Sequence, residues 1–335
     1  MSIEQPLSTP AAKISFDPGV EVKWCPGCGD YSILTALYKV LPELGIPKEK
    51  HVFVSGIGCS GRLPYYLSTF GFHTIHGRAP AVATGIKLAN PELTVWIATG
   101  DGDSLSIGGN HFMHLMRRNV DIKVLLFNNQ VYGLTKGQTS PTSPTGTISK
   151  SSPIGSVDRP ARPLEIGLAA GASFAARVLA IDMKGMMEVI RAAVAHKGTA
   201  LIEILQNCTV FNDGAFDQIG ERSKREQNQL VLKDGEPLLF GPGKSKAVGL
   251  DQMRPVIIDA ASQTTPLKHD LTNRLQAMML SALELPEFPT PLGILYKQER
   301  PTFDDSLTLQ GKEEIAKKGK GTLHDLLHAG DIWRV

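Results

Sequence analysis

The sequence has little excess charge of either sign and no long apolar run. Of its 335 residues, 35 are Lys or Arg and 33 are Asp or Glu, so the formal net charge is only +2. This balance gives no electrostatic argument for a nucleic-acid partner or a membrane surface. No uninterrupted apolar run reaches the ~18 residues typical of a membrane-spanning helix. At roughly 100–200 residues per domain, the length allows one large or two modest domains.

Cysteine is also scarce, and the first residues lack the marks of a targeting signal. Residues 1–6 have neither the basic start nor the apolar stretch of a secretory signal peptide, so we expect a cytoplasmic protein. In a reducing compartment disulfides are not expected, and a Cys-x-x-Cys pair indicates metal binding or redox chemistry. The sequence contains four cysteines, which are Cys25, Cys28, Cys59 and Cys208.

Apolar segments alternate with amphipathic ones over the first two thirds of the chain. We predict strands at 51–57, 72–75, 94–99, 122–128, 176–181 and 200–205. We predict helices at 30–41, 80–90, 104–118, 164–171 and 183–197, the first with Asp30 as its N-cap. Short, continuously apolar strands separated by helices are typical of a mostly parallel sheet covered by helices on both faces. The expected fold class is therefore α/β.

Two segments interrupt this alternation. Residues 139–156 are rich in Ser, Thr, Pro and Gly and predict a long loop, either a solvated linker or a lid over a site. Beyond about residue 213 the alternation of strands and helices stops, and we predict short helices at 217–231, 252–261, 269–283 and 322–329. We therefore divide the chain into a leader (1–23), a central domain (24–212) and an irregular C-terminal extension (213–335) that wraps the core or a partner.

Polar residues follow two predicted strands that a single helix connects. Strand 94–99 runs into Gly100-Asp101-Gly102-Asp103, and strand 122–128 runs into Asn129. A right-handed crossover places both loops at the carboxyl edge of one parallel sheet. Carboxylate and amide oxygens suit Mg²⁺, which usually keeps phosphate oxygens as further ligands, and Gly100 and Gly102 allow a phosphate to approach the backbone. The alternative is a tight Asp-Gly turn without a ligand.

A glycine-rich segment at 56–61 matches the pattern G-x-G-x-x-G of dinucleotide-binding folds. That assignment requires a helix directly after the glycines and an acidic residue about twenty positions later. Pro64 interrupts the supposed helix, and no acidic residue lies around His76. The sequence therefore disfavours a nicotinamide site, and we expect these glycines to let Cys59 approach a bulky group.

The four cysteines are also expected to meet at this sheet edge. Cys59 and Cys208 each follow a predicted strand, and Cys25 and Cys28 lie in a Gly/Pro loop that can fold over the same edge. One Cys-x-x-Cys pair with two isolated thiols favours an iron–sulfur cluster held by four cysteines. A structural zinc site, which more usually has two such pairs, and unrelated thiols remain alternatives.

The sequence resembles the β subunits of 2-oxoacid:ferredoxin oxidoreductases, and in particular the 2-oxoglutarate type. Gly-Asp-Gly followed by Asn129 resembles the thiamine diphosphate motif. The other matching stretches are WCPGCGD (24–30), GIGCSGR (56–62), HGRA (76–79), GDGD (100–103) and NNQVYGLTKGQTSPT (128–142). The resemblance spans most of residues 24–212 and is weaker after about residue 230. It implies the thiamin diphosphate-binding fold, of the diphosphate-binding type.

The resemblance also implies roles for individual residues. Asp101, Asn129 and the Val131 carbonyl would hold Mg²⁺, and the four cysteines would ligate a [4Fe–4S] cluster. Arg62 and Lys136 would hold the carboxylates of the 2-oxoacid. The implied contacts to thiamine diphosphate are Ser60, His76, Gly100, Asp101, Gly102, Asp103, Asn129, Gly133, Leu134 and Thr135.

The reaction implied is the reversible oxidation of 2-oxoglutarate with coenzyme A to succinyl-CoA and CO₂, with electrons passing to ferredoxin. The cofactor needs a Glu on its aminopyrimidine from a separate domain, which this chain has no room to supply. A partner α subunit is therefore expected, in a heterodimer or a dimer of heterodimers. Other 2-oxoacids such as pyruvate, and a non-catalytic partner with a structural Cys₄ zinc, are the alternatives.

Overall fold

The computed structural model describes residues 15–331 and Trp333. The predicted leader lies outside these residues up to position 14. The helices are α1 Asp30–Glu43, α2 Ala79–Ala89, α3 Asp101–Leu105, α4 Gly109–Arg118, α5 Pro163–Ala169, α6 Met183–Ala195, α7 Asp217–Gly220, α8 Arg225–Asn228, α9 Arg274–Ala282, α10 Phe303–Lys318 and α11 Leu323–Leu327. The strands are β1 His51–Ser55, β2 Phe70–His73, β3 Thr94–Gly100, β4 Ile122–Asn128, β5 Phe174–Leu179, β6 Ala200–Leu205, β7 Gln229–Val231, β8 Leu239–Phe240, β9 Lys246–Asp251, β10 Arg254–Asp259 and β11 Thr290–Lys297.

An eight-stranded sheet forms the centre of the molecule, in the order β2-β1-β3-β4-β6-β5-β11-β7. The six strands from β2 to β5 are parallel, β11 pairs antiparallel with β5, and β7 pairs parallel with β11. The mostly parallel α/β sheet predicted from the sequence is thus confirmed. Its parallel strands end at one edge, where loops from non-adjacent parts of the chain meet.

Helices cover both faces of the sheet. Side chains of α2, α4, α5 and α9 pack on one face, and side chains of α1 and α6 pack on the other. Successive residues of a buried strand alternate between the two cores: Val95 and Ile97 of β3 face the first group of helices, and Trp96 faces the second. This period-two alternation leaves no solvent-exposed face on the central strands, which explains why they are mostly apolar in sequence.

The predicted elements of the central region are confirmed, with shifts at their ends. Strands β4 and β6 have the predicted bounds, and β2 and β5 begin two residues earlier than predicted. The helix predicted at 104–118 is broken into α3 and α4. Asp30 is the first residue of α1, whose N-cap is Gly29. After the glycine-rich segment the chain forms a 3₁₀ helix, Ser60–Tyr66, with Pro64 inside it, so no regular helix opens there.

The region after residue 213 contains more sheet than the sequence predicted. The helix prediction at 252–261 is wrong, because these residues form β10, which pairs antiparallel with β9 in a second sheet, β10-β9-β8. Gln252 and Met253 connect the two strands, and both have positive φ. Such a two-residue hairpin turn is normally recognised by Asn-Gly or Asp-Gly, which is absent here. Residues 217–231, predicted as one helix, form the short helices α7 and α8 followed by β7. The helices predicted at 269–283 and 322–329 are confirmed as the shorter α9 and α11.

Two further features concern the ends of the described chain. Residues 15–23 form neither a helix nor a strand, and Phe16 is buried against the second core. Within residues 15–331, no helix is long and apolar enough to cross a membrane.

Candidate active site

A cleft of about 550 Å³ opens at the carboxyl edge of the sheet, between the loops that follow β1, β3 and β4. Its walls include twelve of the predicted cofactor, metal and cluster residues, brought together from four separate stretches of sequence. These are Cys59, Ser60, His76, Gly100, Asp101, Gly102, Asp103, Asn129, Val131, Gly133, Leu134 and Thr135. Right-handed crossovers between parallel strands account for this assembly.

Asp101, the first residue of α3, presents a buried carboxylate to the cleft. It is only 2 % exposed, and its Oδ2 accepts hydrogen bonds from the Ser140 and Thr142 hydroxyls, each at 2.5 Å. Burial raises the pKa of this carboxyl, and the two hydroxyls oppose the effect. A buried acid without a cationic partner is the environment that a bound metal ion would stabilise.

The loop after β4 carries the other two predicted magnesium ligands. Asn129 Oδ1 accepts the Val131 backbone N–H at 3.2 Å, and the Val131 carbonyl accepts the Gly133 N–H at 3.1 Å. Between them Gln130 has a φ of 57°, in the left-handed region. This conformation reverses the chain direction and brings both neighbours of Gln130 to the cleft wall.

Asp103 holds the surrounding loops together. Its Oδ1 accepts from the backbone N–H groups of Ile57 and Gly77 at 3.0 and 2.7 Å, and its Oδ2 accepts from the Thr99 hydroxyl at 2.7 Å. It also contacts His76 Nδ1 at 2.8 Å. The carboxylate predicted as a cofactor contact is therefore occupied by protein donors, and it positions His76 at the cleft.

The remaining walls are shaped by glycines and an unpaired hydroxyl. A Cβ atom at Gly102 would lie 2.2 Å from the Tyr132 ring, and one at Gly133 would lie 3.5 Å from Cys208 Sγ and 3.8 Å from Cys59 Sγ. Ser60 Oγ is buried and has no hydrogen-bond partner among the residues that the structure describes. Small residues and an unsatisfied polar atom are what a tightly bound polar ligand requires. These residues thus fit a diphosphate held through Mg²⁺.

The thiols lie behind the same cleft. Cys59 follows β1, Cys208 follows β6, and Cys25 and Cys28 lie in the loop before α1. Burial raises the pKa of the Cys59 thiol to about 12, and Asp30, Cys208 and Cys25 add to the effect. Burial likewise raises the pKa of Cys28, with contributions from Asp30, Cys59 and Cys208. Buried thiols that repel one another as thiolates fit a site for a cationic metal centre.

No group of three or more His, Cys, Asp or Glu side chains within the described ranges is arranged to hold a single metal ion. A four-iron cluster spreads its four thiolates over several metal atoms, so its ligands need not form a single-ion site.

Two residues of this region were not identified as site residues from the sequence. Asp30 lines the cleft and is 1 % exposed, and within the described part of the chain its Oδ2 has no hydrogen-bond partner. Burial raises the pKa of its carboxyl to about 7. Gln206 donates its amide to Cys28 Sγ at 3.1 Å. The position of Asp30 directly after the Cys-x-x-Cys-Gly stretch could have identified it as a site residue. Nothing in the sequence around Gln206 marks that residue in the same way.

The two residues predicted to bind the substrate carboxylates, Arg62 and Lys136, lie in different surroundings. Arg62 lines a second cleft that shares Ile57, Gly58 and Leu134 with the first, and its guanidinium donates to the Lys23 carbonyl at 3.0 Å. Lys136 is exposed on the loop beyond Thr135 and has a φ of 79°. Arg62 is therefore adjacent to the cofactor cleft, whereas Lys136 is not part of its wall.

Comparisons with known proteins agree with the family resemblance noted in the sequence. Residues 56–204 match the family described as thiamine pyrophosphate enzyme, C-terminal TPP binding domain. The chain is 46 % identical to the 2-oxoglutarate oxidoreductase subunit KorB of Mycobacterium tuberculosis, over 96 % of this chain and 87 % of that protein. It is 49 % identical to the 2-oxoacid:ferredoxin oxidoreductase subunit beta of Saccharolobus solfataricus, over 82 % of each.

Among solved structures, the chain resembles the 2-oxoglutarate:ferredoxin oxidoreductase of Magnetococcus marinus, determined with 2-oxoglutarate, coenzyme A and succinyl-CoA bound. The TM-score is 0.76 at 34 % identity, covering 94 % of this chain and 95 % of that one. The chain therefore belongs to the family of 2-oxoacid:ferredoxin oxidoreductase β subunits, of the 2-oxoglutarate oxidoreductase type, and is one subunit of an enzyme complex.

Proposed function

We propose that this subunit takes part in the oxidative decarboxylation of 2-oxoglutarate. The products are succinyl-CoA and CO₂, and the two electrons leave through a [4Fe–4S] cluster to ferredoxin; in reverse the reaction fixes CO₂. The names of the relatives and the ligands of the Magnetococcus marinus enzyme support this substrate. The cysteine arrangement supports the electron path.

The observation that carries the proposal is the position of Gly133. This residue lines the cleft with Asp101 and Asn129, and a Cβ added to it would touch the thiols of both Cys208 and Cys59. Gly133 therefore lies close both to the proposed Mg²⁺ ligands and to two of the thiols. A cluster that accepts single electrons from a bound cofactor must lie close to that cofactor.

Each part of the cleft has a separate role in this proposal. Asp101, Asn129 and the Val131 carbonyl hold Mg²⁺, and Gly100, Gly102, Gly133, Leu134 and Thr135 surround the diphosphate, with Ser60 and His76 as further contacts. When bound, thiamine diphosphate supplies the nucleophilic carbon that attacks the keto group of the 2-oxoacid. The glycines of the wall let the cofactor approach closely, and the side chains around it fix its orientation.

The substrate carboxylates need cationic partners. We propose Arg62, beside the cofactor cleft, for one carboxylate and Lys136 for the other, because charge-assisted bonds orient a dicarboxylate. Since Lys136 lies outside the cleft wall, its role requires the 133–137 loop to fold inward. A monocarboxylate such as pyruvate would need only one of these cations.

The partners and the organisation of the chain are part of the same proposal. An α subunit supplies the pyrimidine-binding domain and its activating Glu, so that a heterodimer or a dimer of heterodimers is the active form. In this proposal the chain divides at residues 23 and 212, and the complex is located in the cytoplasm. The C-terminal extension would cover the α subunit.

The chain co-expressed with its partner and purified anaerobically tests the proposal. We expect a brown protein that absorbs near ~400 nm and contains about four iron atoms per chain. In a panel of 2-oxoacids with coenzyme A and a viologen dye, 2-oxoglutarate should be turned over fastest. Equal or faster turnover of pyruvate would refute the substrate assignment. A colourless protein with stoichiometric zinc would favour a structural Cys₄ zinc site instead.

A further inference from the structure

The loop segment Ser140-Pro141-Thr142-Ser143, called here the 140–143 segment, lies beneath the cleft. We propose that this segment is the positioning device of the magnesium site: its hydroxyls fix the orientation of Asp101 and the backbone between Asn129 and Val131 before the cation binds. The inference rests on the proposed function, because it presumes that Asp101 and Asn129 bind Mg²⁺.

The segment is buried although the loop around it is polar. Ser140, Thr142 and Ser143 are 7 %, 3 % and 3 % exposed, whereas residues from Thr145 onward are mostly exposed. Neither a solvated linker nor a lid describes this part of the loop. Buried hydroxyls are retained where they hydrogen-bond to a specific group.

The first contact of the segment is with Asp101. The hydroxyls of Ser140 and Thr142 both approach Oδ2 of this carboxylate at 2.5 Å. A carboxylate whose one oxygen is held by two donors cannot rotate freely, so the orientation of Asp101 in the cleft wall is fixed. Mg²⁺ requires near-ideal octahedral geometry and is sensitive to such orientation.

The second contact of the segment is with the loop that carries the other ligands. Ser143 Oγ donates to the Gln130 carbonyl at 2.6 Å and accepts from the Ser140 backbone N–H at 2.8 Å. Gln130 has positive φ and lies between the side chain of Asn129 and the carbonyl of Val131. A hydrogen bond to its carbonyl stabilises a conformation that a non-glycine residue rarely adopts. One four-residue segment thus spans both ligand loops.

A buried ion pair supports the segment from behind. Thr142 Oγ1 also lies 2.9 Å from Asn128 Oδ1, so its single proton is shared between two acceptors. Asn128 Nδ2 donates to Glu203 Oε1 at 2.7 Å, and Arg177 Nε donates to Glu203 Oε2 at 2.7 Å. Since both ions are buried, this base is rigid, and it resists displacement of Thr142.

Partners that orient metal ligands typically change metal affinity by 10- to 100-fold when removed. The test is made on the chain in complex with its partner subunit, with Mn²⁺ as a paramagnetic probe in the presence of thiamine diphosphate. Binding is followed by electron paramagnetic resonance of free Mn²⁺. Thr142→Val removes the hydroxyl at constant shape, Thr142→Ser keeps it, and Thr145→Val is the matched control at an exposed hydroxyl of the same loop.

We expect Thr142→Val to weaken Mn²⁺ binding by about 10- to 100-fold, with Thr142→Ser and Thr145→Val within about threefold of the original protein. Ser140→Ala, expected to weaken binding at least about threefold, serves if Thr142→Val does not fold. Equal affinities for Thr142→Val and Thr145→Val, or equal losses for Thr142→Val and Thr142→Ser, would overturn the inference.

The Asp101→Asn variant separates this inference from the proposed function. If the unsubstituted complex binds Mn²⁺ and Asp101→Asn abolishes that binding, the magnesium site stands, and the Thr142 variants alone decide the role of the segment. If Asp101→Asn leaves Mn²⁺ binding unchanged, the magnesium site itself is refuted, and the inference is overturned with it.

Discussion

Replacement of Gly102 by Ala tests the shape of the cofactor cleft at a single atom. The added Cβ would lie 2.2, 2.6 and 2.8 Å from three atoms of the Tyr132 ring, all closer than van der Waals contact allows. Gly102 has no positive φ, so the backbone itself accepts Ala and the conflict is purely steric. The Tyr132 hydroxyl also donates to the Gly102 carbonyl at 3.1 Å, which ties the ring to this place.

Overpacking of a well-packed contact costs about 1–3 kcal/mol. In the free chain Tyr132 can move aside, but it lies between Val131 and Gly133, which the bound cofactor needs in place. The cost therefore falls on binding, and we expect the affinity for thiamine diphosphate with Mg²⁺ to fall roughly 5- to 150-fold, since 1.4 kcal/mol is a factor of ten.

Titration calorimetry of the complex, with denaturant unfolding in parallel, measures both effects. Gly85→Ala in α2 is the control, because nothing lies within 4 Å of its Cβ position. Ala at a helical glycine stabilises by about 0.5–1 kcal/mol and should leave cofactor affinity unchanged. A Gly102→Ala variant that binds within twofold and unfolds like Gly85→Ala would refute the packing argument.

Three further perturbations have defined outcomes. Gln206→Leu removes the amide that donates to Cys28 Sγ, so the midpoint potential of the cluster should fall in a redox titration followed by electron paramagnetic resonance; an unchanged potential would contradict this role. Arg62→Ala should raise KM for 2-oxoglutarate at least about tenfold in the viologen assay, with partial recovery in Arg62→Lys, and an unchanged KM would remove Arg62 from the substrate site. Burial lowers the pKa of His51 and of His196 to about 4. Below pH 6.5 the unfolded chain therefore binds more protons than the folded one, and the free energy of unfolding decreases as the pH is lowered. Each of the two histidines should lower the free energy of unfolding by up to about 2 kcal/mol when the pH is lowered from 7 to 5. Urea unfolding at the two pH values checks this, and replacing both histidines by Gln should flatten the difference.

The central sheet was predictable because its strands are buried on both faces. Ile122–Asn128 and Ala200–Leu205 are mostly apolar and buried at every position, and the loops after them carry the polar residues that mark a parallel sheet edge. The meeting of Asp101 and Asn129 at one edge followed from that topology. The other members of the cleft, such as His76 and Gly133, were implied only by the family resemblance, and no hydrogen bond of the site was predicted.

What could not be predicted depends on tertiary contacts. The hairpin between β9 and β10 has a turn of Gln252 and Met253, residues without a turn signal. Strand β11 is antiparallel to β5, although more than a hundred residues separate the two strands in sequence. Likewise the roles of Asp103 and the 140–143 segment depend on partners that are distant in sequence, such as Ile57 and Asp101.

The central claim is that a thiamine site and an iron–sulfur cluster share one cleft. The most direct measurement is the visible absorption of the anaerobic complex before and after 2-oxoglutarate and coenzyme A are added without ferredoxin. We predict absorption near ~400 nm that substrate bleaches, and no bleaching in Asp101→Asn or in Cys208→Ser. A protein without this absorption, or bleaching that persists in Asp101→Asn, would contradict the account.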